Sequence, residues 1–386
     1  MSFILTTILS KFALLKIVKS SKTPSVKLHL FNPENDLALG LGCRNYTPPP
    51  HAAAIHRAGA LLPLWWAGED DLVIAPEGLA ADAGQLKERF GLHGNIFTGQ
   101  SNEVTPAPWG WSADAKRQFS VAGVNPEALP SDEMIGRLRR LSHRRMTIEI
   151  IEGLGGDCPV PTEATDPEAV VEAERLSPGC FIKSPWSGSG RGVFCARSLD
   201  EKALYKRAAG IINRQGSVMV ERGLDKELDF AALFHAEGGR VCFKGWSVFK
   251  AESRGMYSGN IVAPQSRLHE IICGYLPAEM LADTISREEE ILSRLAGGSY
   301  EGWLGIDMMV YRENGEMKLM PCVEMNLRMT MGVAAMKIGE KLSLQTPALL
   351  AWRHRADEAD LEGSTILLPP SDGFALTLTE IGEQTQ

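Results

Sequence analysis

The chain of 386 residues is long enough for two or three domains, and its hydrophobic content of 44% allows sizeable cores. A formal net charge of −8 argues against general binding to nucleic acid or to an anionic membrane, so any basic site must be local. The seven cysteines are scattered and odd in number, and no C-x-x-C pair occurs, which favours reduced thiols in a cytoplasmic protein.

The first part of the chain predicts a small α/β domain over 26–130, behind a loose extension at 1–25. Lysines interrupt the apolar residues of that extension before they reach the ~18 that a membrane span needs. From residue 26, segments that alternate like strands are separated by segments with helical spacing, which is typical of a mainly parallel sheet. Strands are expected at 26–31, 61–66, 72–75 and 95–97, and helices at 52–59 and 78–90. The Pro- and Gly-rich residues 101–130 are expected to form an irregular connection.

The middle of the chain predicts an α+β arrangement. Ser131 has the position of a helix N-cap before an apolar-periodic segment. Helices are expected at 131–141, 148–154, 166–176, 199–215 and 285–296, and strands at 180–183, 193–195, 217–221, 227–235, 241–248, 302–310 and 318–324. We divide this part into a small subdomain over 131–216 and a large one over 217–346, followed by a short C-terminal tail over 347–386.

A glycine-rich hairpin is predicted at 180–195. Its loop, from Ser187 to Gly192, is too small to pack and lets backbone N–H groups approach an anion. Lys183 ends the first strand and would bring an ammonium group to that anion. The spacing excludes a P-loop, because valine follows Gly192, and it excludes a dinucleotide fingerprint, because a strand follows the glycines. A hairpin that binds no ligand remains the alternative.

A second hairpin carries acidic residues in apolar surroundings. Alternation places Glu324 and Asn326 on one face of a strand, and Asp307 on the paired strand can face the same way. Two carboxylates and an amide oxygen form a hard oxygen site that suits Mg²⁺, which completes its shell with water and substrate phosphates. Solvent-exposed strand carboxylates remain the alternative.

The order of these features resembles the ATP-grasp superfamily over roughly residues 130–335, with motifs nearest to the branch of carbamoyl-phosphate synthetase and biotin carboxylase. The ordered pieces are SHRRMT at 142–147, Lys183 with its loop, VERGL at 220–224 with Glu227, GID at 305–307 and EMNLR at 324–328. The segment YSGNIVAP at 257–264 is similar to a segment of the same branch. The resemblance implies an ATP-grasp fold behind a small parallel α/β domain.

The resemblance also implies a nucleotide site. Arg144, with Arg145 as the adjacent alternative, and Lys183 would hold the phosphates. The residues that would cover the triphosphate are Ser187, Gly188, Ser189, Gly190 and Gly192. The hinge that would hydrogen-bond adenine consists of Glu221, Arg222, Gly223 and Leu224. Glu227 would hold the ribose hydroxyls, with Asp229 in reserve because the spacing from the hinge is shorter than the usual form.

The reaction that the resemblance implies is that of a stand-alone ligase. Asp307, Glu324 and Asn326 would hold Mg²⁺, with Mn²⁺ as a substitute, while Lys183 and Arg328 would act on the transferred phosphoryl group. Leu327 replaces the usual proline of this motif. Such an enzyme joins a carboxylate to an amine through an acyl phosphate and releases ADP and phosphate. A small-molecule kinase on the same fold, and a nucleotide-binding protein without ligase activity, are the alternatives.

The expected partners are ATP, a small carboxylate and an amine. Nucleic acid and membranes are not expected, and a homodimer is the assembly that we consider. By analogy with the fold, the acid and the amine should bind where residues 28–50 meet residues 250–270 and Arg328. The cations that flank this region, which could hold a carboxylate or remain solvated, are Lys244, Lys250, Arg254 and Arg267.

Overall fold

The computed structural model describes residues 26–99, 101, 103–188, 192–251, 257–354 and 361–382. The predicted extension at 1–25 lies outside the described residues, as do Ser189, Gly190 and Arg254. The described chain is organised around three β-sheets, one parallel and two antiparallel. None of the helices in these ranges is long and apolar enough to span a membrane.

The parallel sheet forms the N-terminal part. Its strands are β1 (Lys27–Leu30), β2 (Leu72–Val73), β3 (Asn95–Ile96) and β4 (Thr105–Pro108), in the order β3-β2-β1-β4. The helices of this part are α1 (Asn35–Leu41), α2 (Pro50–Ala58), α3 (Ala80–Phe90) and α4 (Ala113–Val121). All strand pairs of this sheet are parallel, which confirms the predicted α/β character.

Two predictions for this part are wrong. Residues 61–66 contain a 3₁₀ helix (Leu62–Trp65) rather than a strand, since Pro63 has no N–H for a β-ladder and fits a first helical turn. The segment 101–130 is not an irregular connection, because it contains β4 and α4. The prolines of β4 concealed the strand, and they are tolerated because β4 lies at the edge of its sheet.

The smaller antiparallel sheet follows. Its strands are β5 (Thr162–Ala164), β6 (Phe181–Lys183), β7 (Val193–Cys195) and β8 (Val218–Glu221), in the order β5-β8-β6-β7. The helices of this part are α5 (Asp132–Leu141), α6 (Met146–Leu154), α7 (Pro167–Leu176) and α8 (Glu201–Gln215). Ser131 caps α5 as predicted, since its Oγ accepts the Met134 N–H at 3.1 Å. The predicted glycine-rich hairpin is the antiparallel pair β6–β7.

The large antiparallel sheet occupies the rest of the chain. Its strands are β9 (Asp225–Glu237), β10 (Arg240–Ala251), β11 (Tyr257–Val262), β12 (Gly302–Glu313), β13 (Glu316–Asn326), β14 (Ala348–His354), β15 (Ser364–Ser371) and β16 (Phe374–Glu380). Their order is β13-β12-β9-β10-β11-β14-β16-β15. The helices are α9 (Gln265–Cys273), α10 (Ala278–Leu295) and α11 (Met331–Leu342). The expected short tail at 347–386 is therefore wrong for its described residues, which add three strands to this sheet.

The large sheet is buried on both faces. On one face, Phe230 belongs to a cluster with Ile150 of α6 and with α10. On the other face, Leu233 belongs to a cluster with Val333 of α11 and with the N-terminal part. Full burial of one such side chain contributes roughly 1.5–3 kcal/mol. Because both faces are apolar, carboxylates on the inner strands require a compensating partner, and these carboxylates mark the site.

Candidate functional site

A cavity of about 500 Å³ lies between the small sheet and the large sheet. We call the part between the hinge and the glycine-rich hairpin the nucleotide half; its lining includes Pro159, Phe181, Lys183, Glu221, Leu224, Asp229 and Met320. We call the part beside α11 the acid half; its lining consists of Ala231, Ser247, Phe249, Tyr257, Asn260, Arg328, Thr330, Met331 and Gly332. Asp307, Glu324 and Arg144 line the junction of the two halves.

Lys183 lies in the nucleotide half, at the end of β6. Only 8% of its surface is exposed, and its Nζ lies 2.5 Å from a carboxylate oxygen of Glu221, which ends the neighbouring strand β8. The ion pair offsets the cost of burying the ammonium group. The pairing of β6 with β8 therefore brings together the predicted phosphate ligand and the start of the predicted hinge.

The glycine-rich hairpin requires a glycine at its second end. Gly192 has a φ of +79°, and a Cβ there would lie 2.8 Å from Ser184 Oγ. The carbonyl of Gly192 accepts the Ser184 N–H at 2.9 Å, which closes the loop. Gly188 and Val193 line the cavity, whereas Ser187 is buried beside it.

Arg144 connects this hairpin with the acidic one. It lies between α5 and α6, where 5% of its surface is exposed. Its Nη2 donates to both oxygens of Glu324 at 2.8 Å, and its Nη1 donates to Ser184 O at 2.6 Å and Ser187 Oγ at 2.7 Å. Arg145 is exposed and lies 3.6 Å from Glu163, away from the cavity lining. The geometry therefore favours Arg144 over its neighbour as the phosphate ligand.

The acidic hairpin brings its three polar residues together. Asp307 of β12 is directly opposite Glu324 of β13, and Asn326 lies on the same face two residues further on. Burial, together with the negative charge of Glu324, raises the pKa of Asp307 to about 7. A cation between the two carboxylates would remove that penalty.

These residues fit Mg²⁺. The described residues contain no cluster of three or more His, Cys, Asp or Glu arranged for a metal ion. The set at this hairpin is instead two carboxylates and an amide oxygen, which are hard ligands that leave room for water and substrate phosphates.

Arg328 lies where the acidic hairpin meets the N-terminal part. Its Nε donates to Asp36 Oδ2 at 2.7 Å, its Nη2 to Asn326 Oδ1 at 2.8 Å and its Nη1 to Met329 O at 3.1 Å. A guanidinium has five N–H groups, so one on each Nη remains for an anion. Burial raises the pKa of Asp36, and the charge of Arg328 opposes that shift.

Asp36 is a site residue that the sequence reasoning did not identify. It lies in the first turn of α1, directly after the polar residues 32–34, and accepts a hydrogen bond from Arg328. Asn32 fixes these polar residues, because its Nδ2 donates to Gly110 O at 2.8 Å and its Oδ1 accepts the Gly110 N–H at 3.2 Å. The run of polar residues directly after a buried strand was the available signal.

The residues of the predicted hinge lie at the end of β8 and directly after it. Gly223 must be a glycine, because a Cβ there would lie 2.5 Å from the carbonyl oxygen of Gly179. Arg222 pairs with Glu313 at the tip of the β12–β13 hairpin, and it lines the cavity as Leu224 does. Apolar residues around the hinge form a slot that the sequence reasoning did not identify: Pro159, Pro161, Phe181, Met309, Met320 and Val323.

The expected ribose ligand Glu227 lies outside the cavity lining. It is exposed, and Arg312 Nε donates to its Oε1 at 2.7 Å. Asp229, two residues further along β9, lines the nucleotide half instead. The register of β9 against β12 shifts at Glu227, and this β-bulge interrupts the alternation of faces between residues 227 and 229. The reserve candidate is thus the better placed of the two.

The acid half does contain part of the segment 257–264. Tyr257 and Asn260 of β11 line it together with Ser247 of β10. The expected carboxylate ligands are elsewhere: Lys244 and Lys250 are exposed, and Arg267 Nη1 donates to Glu270 at 3.0 Å. These lysines are the solvated strand cations of the alternative interpretation.

Comparisons with known proteins identify the fold. No protein-family model matches the sequence, and no curated protein matches it either. Among solved structures, biotin carboxylase from Campylobacter jejuni, in complex with β,γ-ATP, has a TM-score of 0.51 at 14% identity, over 93% of this chain and 88% of that chain. N5-carboxyaminoimidazole synthetase from Staphylococcus aureus, with ADP, has a TM-score of 0.49 at 10% identity, over 93% and 94%. A protein assigned to the ATP-grasp superfamily from Archaeoglobus fulgidus has a TM-score of 0.46 at 11% identity, over 93% and 100%.

The similarity to biotin carboxylase extends over most of both chains and shows a shared fold. This similarity agrees with the observed order of a parallel sheet followed by two antiparallel sheets, with the cavity between the latter two. The identity is too low to transfer an activity, so function has to be argued from the residues of the site.

Proposed function

Since the chain has the ATP-grasp fold, we propose that it is an ATP- and Mg²⁺-dependent ligase that joins a small carboxylate to an amine. One observation carries the proposal. The cations Lys183, Arg144 and Arg328 and the oxygen ligands Asp307, Glu324 and Asn326 converge on one cavity beneath a glycine-rich hairpin. This arrangement suits phosphoryl transfer, which depends mainly on positioning and on neutralising charge.

The nucleotide would lie between the two antiparallel sheets. Adenine fits the apolar slot beside Leu224, where backbone groups of the hinge can hydrogen-bond the base. Asp229 is placed for the ribose hydroxyls, and Lys183 and Arg144 for the phosphates. Bound to Asp307, Glu324 and Asn326, Mg²⁺ would supply charge neutralisation at the phosphate oxygens.

In the first step, an oxygen of the substrate carboxylate attacks the γ-phosphorus and the bond to the β-phosphate oxygen breaks, giving an acyl phosphate and ADP. The attacking oxygen is already anionic, so no general base is needed. The two N–H groups of Arg328 that remain after its bonds to Asp36, Asn326 and Met329 would stabilise the charge that builds up on the transferred group.

In the second step, the amine nitrogen attacks the acyl carbon, the bond from that carbon to the phosphate oxygen breaks, and the departing phosphate takes the extra proton of the nitrogen. Arg328 can hold the departing phosphate, because it retains the same fork of donors. The chain thus needs no covalent intermediate on its own residues.

The test measures the release of ADP and phosphate for each combination of a carboxylic acid with an amine, drawn from a matrix of both. We expect release only where an acid and an amine are both present, and we expect Glu324→Gln to abolish it. Glu316→Gln, an exposed change on the same strand, is the matched control and should retain activity. A phosphorylated alcohol as product, or full activity of Glu324→Gln, would contradict the proposal.

A further inference from the structure

The acid half contains a chain of hydrogen bonds that the proposed reaction leaves unused. We propose that Tyr257, Asn260 and Ser247 form the element that selects the acid substrate, with Ser247 donating a hydrogen bond to its carboxylate. This inference rests on the proposed function, because it names the class of substrate that this half of the cavity takes.

The three side chains are linked in one direction. The Tyr257 hydroxyl donates to Asn260 Oδ1, and Asn260 Nδ2 donates to Ser247 Oγ at 2.7 Å. Asn260 and Ser247 have 2% and 3% of their surface exposed, and all three residues line the cavity. Buried polar side chains on an apolar sheet cost free energy unless they are satisfied, so a network at this position specifies a geometry.

The direction of these hydrogen bonds determines which kind of ligand atom the network can recognise. Because a phenol donates to its oxygen, the amide of Asn260 must present its nitrogen to Ser247. Ser247 Oγ then accepts the last hydrogen bond of this network, and its own hydroxyl proton has not yet been donated to any atom. The hydrogen bonds of the described residues give that proton no acceptor inside the protein. The network therefore ends in a donor that faces the cavity, and its ligand atom is an acceptor.

The neighbouring wall adds more donors. Gly332 of α11 packs directly on Ser247, since a Cβ there would lie 2.7 Å from Ser247 Oγ. Thr330 caps this helix through the Val333 N–H at 3.2 Å, which leaves the N–H groups of Met331 and Gly332 outside the cap. Arg328, which is paired with Asp36, adds its two remaining N–H groups to this half. An anionic oxygen acceptor, not an ammonium group, fits such a surface.

Burial supports the role of Tyr257 as a neutral donor. It holds the pKa of the Tyr257 hydroxyl well above its usual range, so the phenol keeps its proton at every physiological pH. Apart from Arg328, the residues that define the acid half carry no charge, so hydrogen-bond direction has to provide the selectivity.

The experiment measures thermal shifts of the full chain in saturating Mg·ADP. The probes are acetate, bicarbonate, glycine and malonate, each at several concentrations, with acetamide as the neutral analogue of acetate. The variants are Ser247→Ala, Tyr257→Phe and their combination, with Ser120→Ala on the exposed side of α4 as control.

We expect at least one carboxylate to stabilise the wild type and acetamide not to. Ser247→Ala should weaken that carboxylate about tenfold, which corresponds to the loss of one hydrogen bond to a charged group. Tyr257→Phe should weaken carboxylate binding less than Ser247→Ala does. The double variant should bind the carboxylate no more weakly than Ser247→Ala alone, since both changes act through the same hydrogen-bond network. Ser120→Ala should behave as the wild type.

The proposal fails if Ser247→Ala retains wild-type carboxylate affinity, if acetamide binds as well as acetate, or if none of the carboxylates binds the wild type. Mg·ADP affinity of each variant is measured in parallel and should be unchanged. Carboxylate binding without any ADP release in the matrix of acids and amines would instead contradict the proposed ligase while leaving the acid site intact.

Discussion

The two halves of the cavity compensate the burial of their polar side chains in different ways. In the nucleotide half and at the junction, buried cations are held by carboxylates, as in Lys183–Glu221 and Arg144–Glu324. In the acid half, the polar side chains other than Arg328 are uncharged, and three of them hydrogen-bond one another from Tyr257 to Ser247. The first half is therefore organised by charge, and the second by the direction of hydrogen bonds.

This difference has a consequence for ligand binding. A buried ion pair offsets the desolvation of its members, but it must open when a ligand competes for one of them. A metal ion bound to Glu324 would compete with Arg144, which donates to both oxygens of this carboxylate. Nucleotide and metal binding should therefore be coupled, whereas the hydrogen-bonded chain of the acid half needs no such exchange.

The largest effect is expected at Arg328, which lines the acid half and donates to Asn326 of the acidic hairpin. Arg328→Ala should lower ligase turnover about 1000-fold, because it removes the donors aimed at the transferred group. The affinity for Mg·ATP should change by less than about threefold, since the nucleotide half keeps its own cations. Steady-state kinetics with the active acid and amine, plus calorimetric titration of Mg·ATP, measure both quantities.

The control for this change is Arg312→Ala, which removes an exposed arginine outside the cavity lining and should leave turnover unaltered. Turnover of Arg328→Ala within fivefold of the wild type would show that the guanidinium does not act on the transferred group.

The next effect concerns stability. Arg144→Met should lower the free energy of unfolding by about 3 kcal/mol, because it leaves Glu324 without its buried partner. Arg144→Met combined with Glu324→Gln should recover most of that loss, since the uncompensated charge is gone. Denaturant unfolding followed by tryptophan fluorescence measures the difference. A double variant no more stable than the single one would mean that lost packing, not charge, controls stability at the junction.

A smaller effect distinguishes the two ribose candidates. Asp229→Asn should weaken ATP about tenfold through the loss of charge-assisted hydrogen bonds. Glu227→Gln should change the affinity by less than about twofold, because that side chain faces Arg312 outside the cavity. Equilibrium titration of both variants decides between them, and the reverse order would restore Glu227 as the ribose ligand.

The smallest effect tests the exchange at Glu324. In the absence of divalent metal, Glu324→Gln should bind ATP about threefold more tightly than the wild type, because Arg144 is no longer held by a carboxylate. With Mg²⁺ present, the same variant should bind more weakly. Calorimetric titration in chelator and in Mg²⁺ gives both values. Weaker binding of metal-free ATP by Glu324→Gln would rule out competition between Arg144 and a metal ion.

Local patterns predicted much of the nucleotide half. Two short-range signals were available: glycines beside a lysine, and carboxylates alternating on an apolar strand. The structure places Lys183 and Glu324, which carry these signals, on the two sides of one cavity. The N-cap at Ser131 was equally local. In each case the residue and the reason for its position lie within a few positions of each other along the chain.

The features that were missed depend on contacts between distant residues. Strands β14 to β16 form only because β11 offers an open edge, which no periodicity at 347–386 reveals. Asp36 reaches Arg328 across 292 residues of sequence. The choice between Glu227 and Asp229 depends on a β-bulge at Glu227, which is set by the pairing with β12 and which spacing along the chain does not reveal.

The most direct test of the account is calorimetric titration of the full chain with ATP in the presence of Mg²⁺, repeated with Lys183→Ala. The account predicts a single saturable site with a dissociation constant in the micromolar range, weakened at least about tenfold by Lys183→Ala through the loss of a charge-assisted phosphate contact. No saturable binding by the wild type up to millimolar Mg·ATP, or equal affinity of Lys183→Ala, would contradict the assignment of this cavity to a nucleotide.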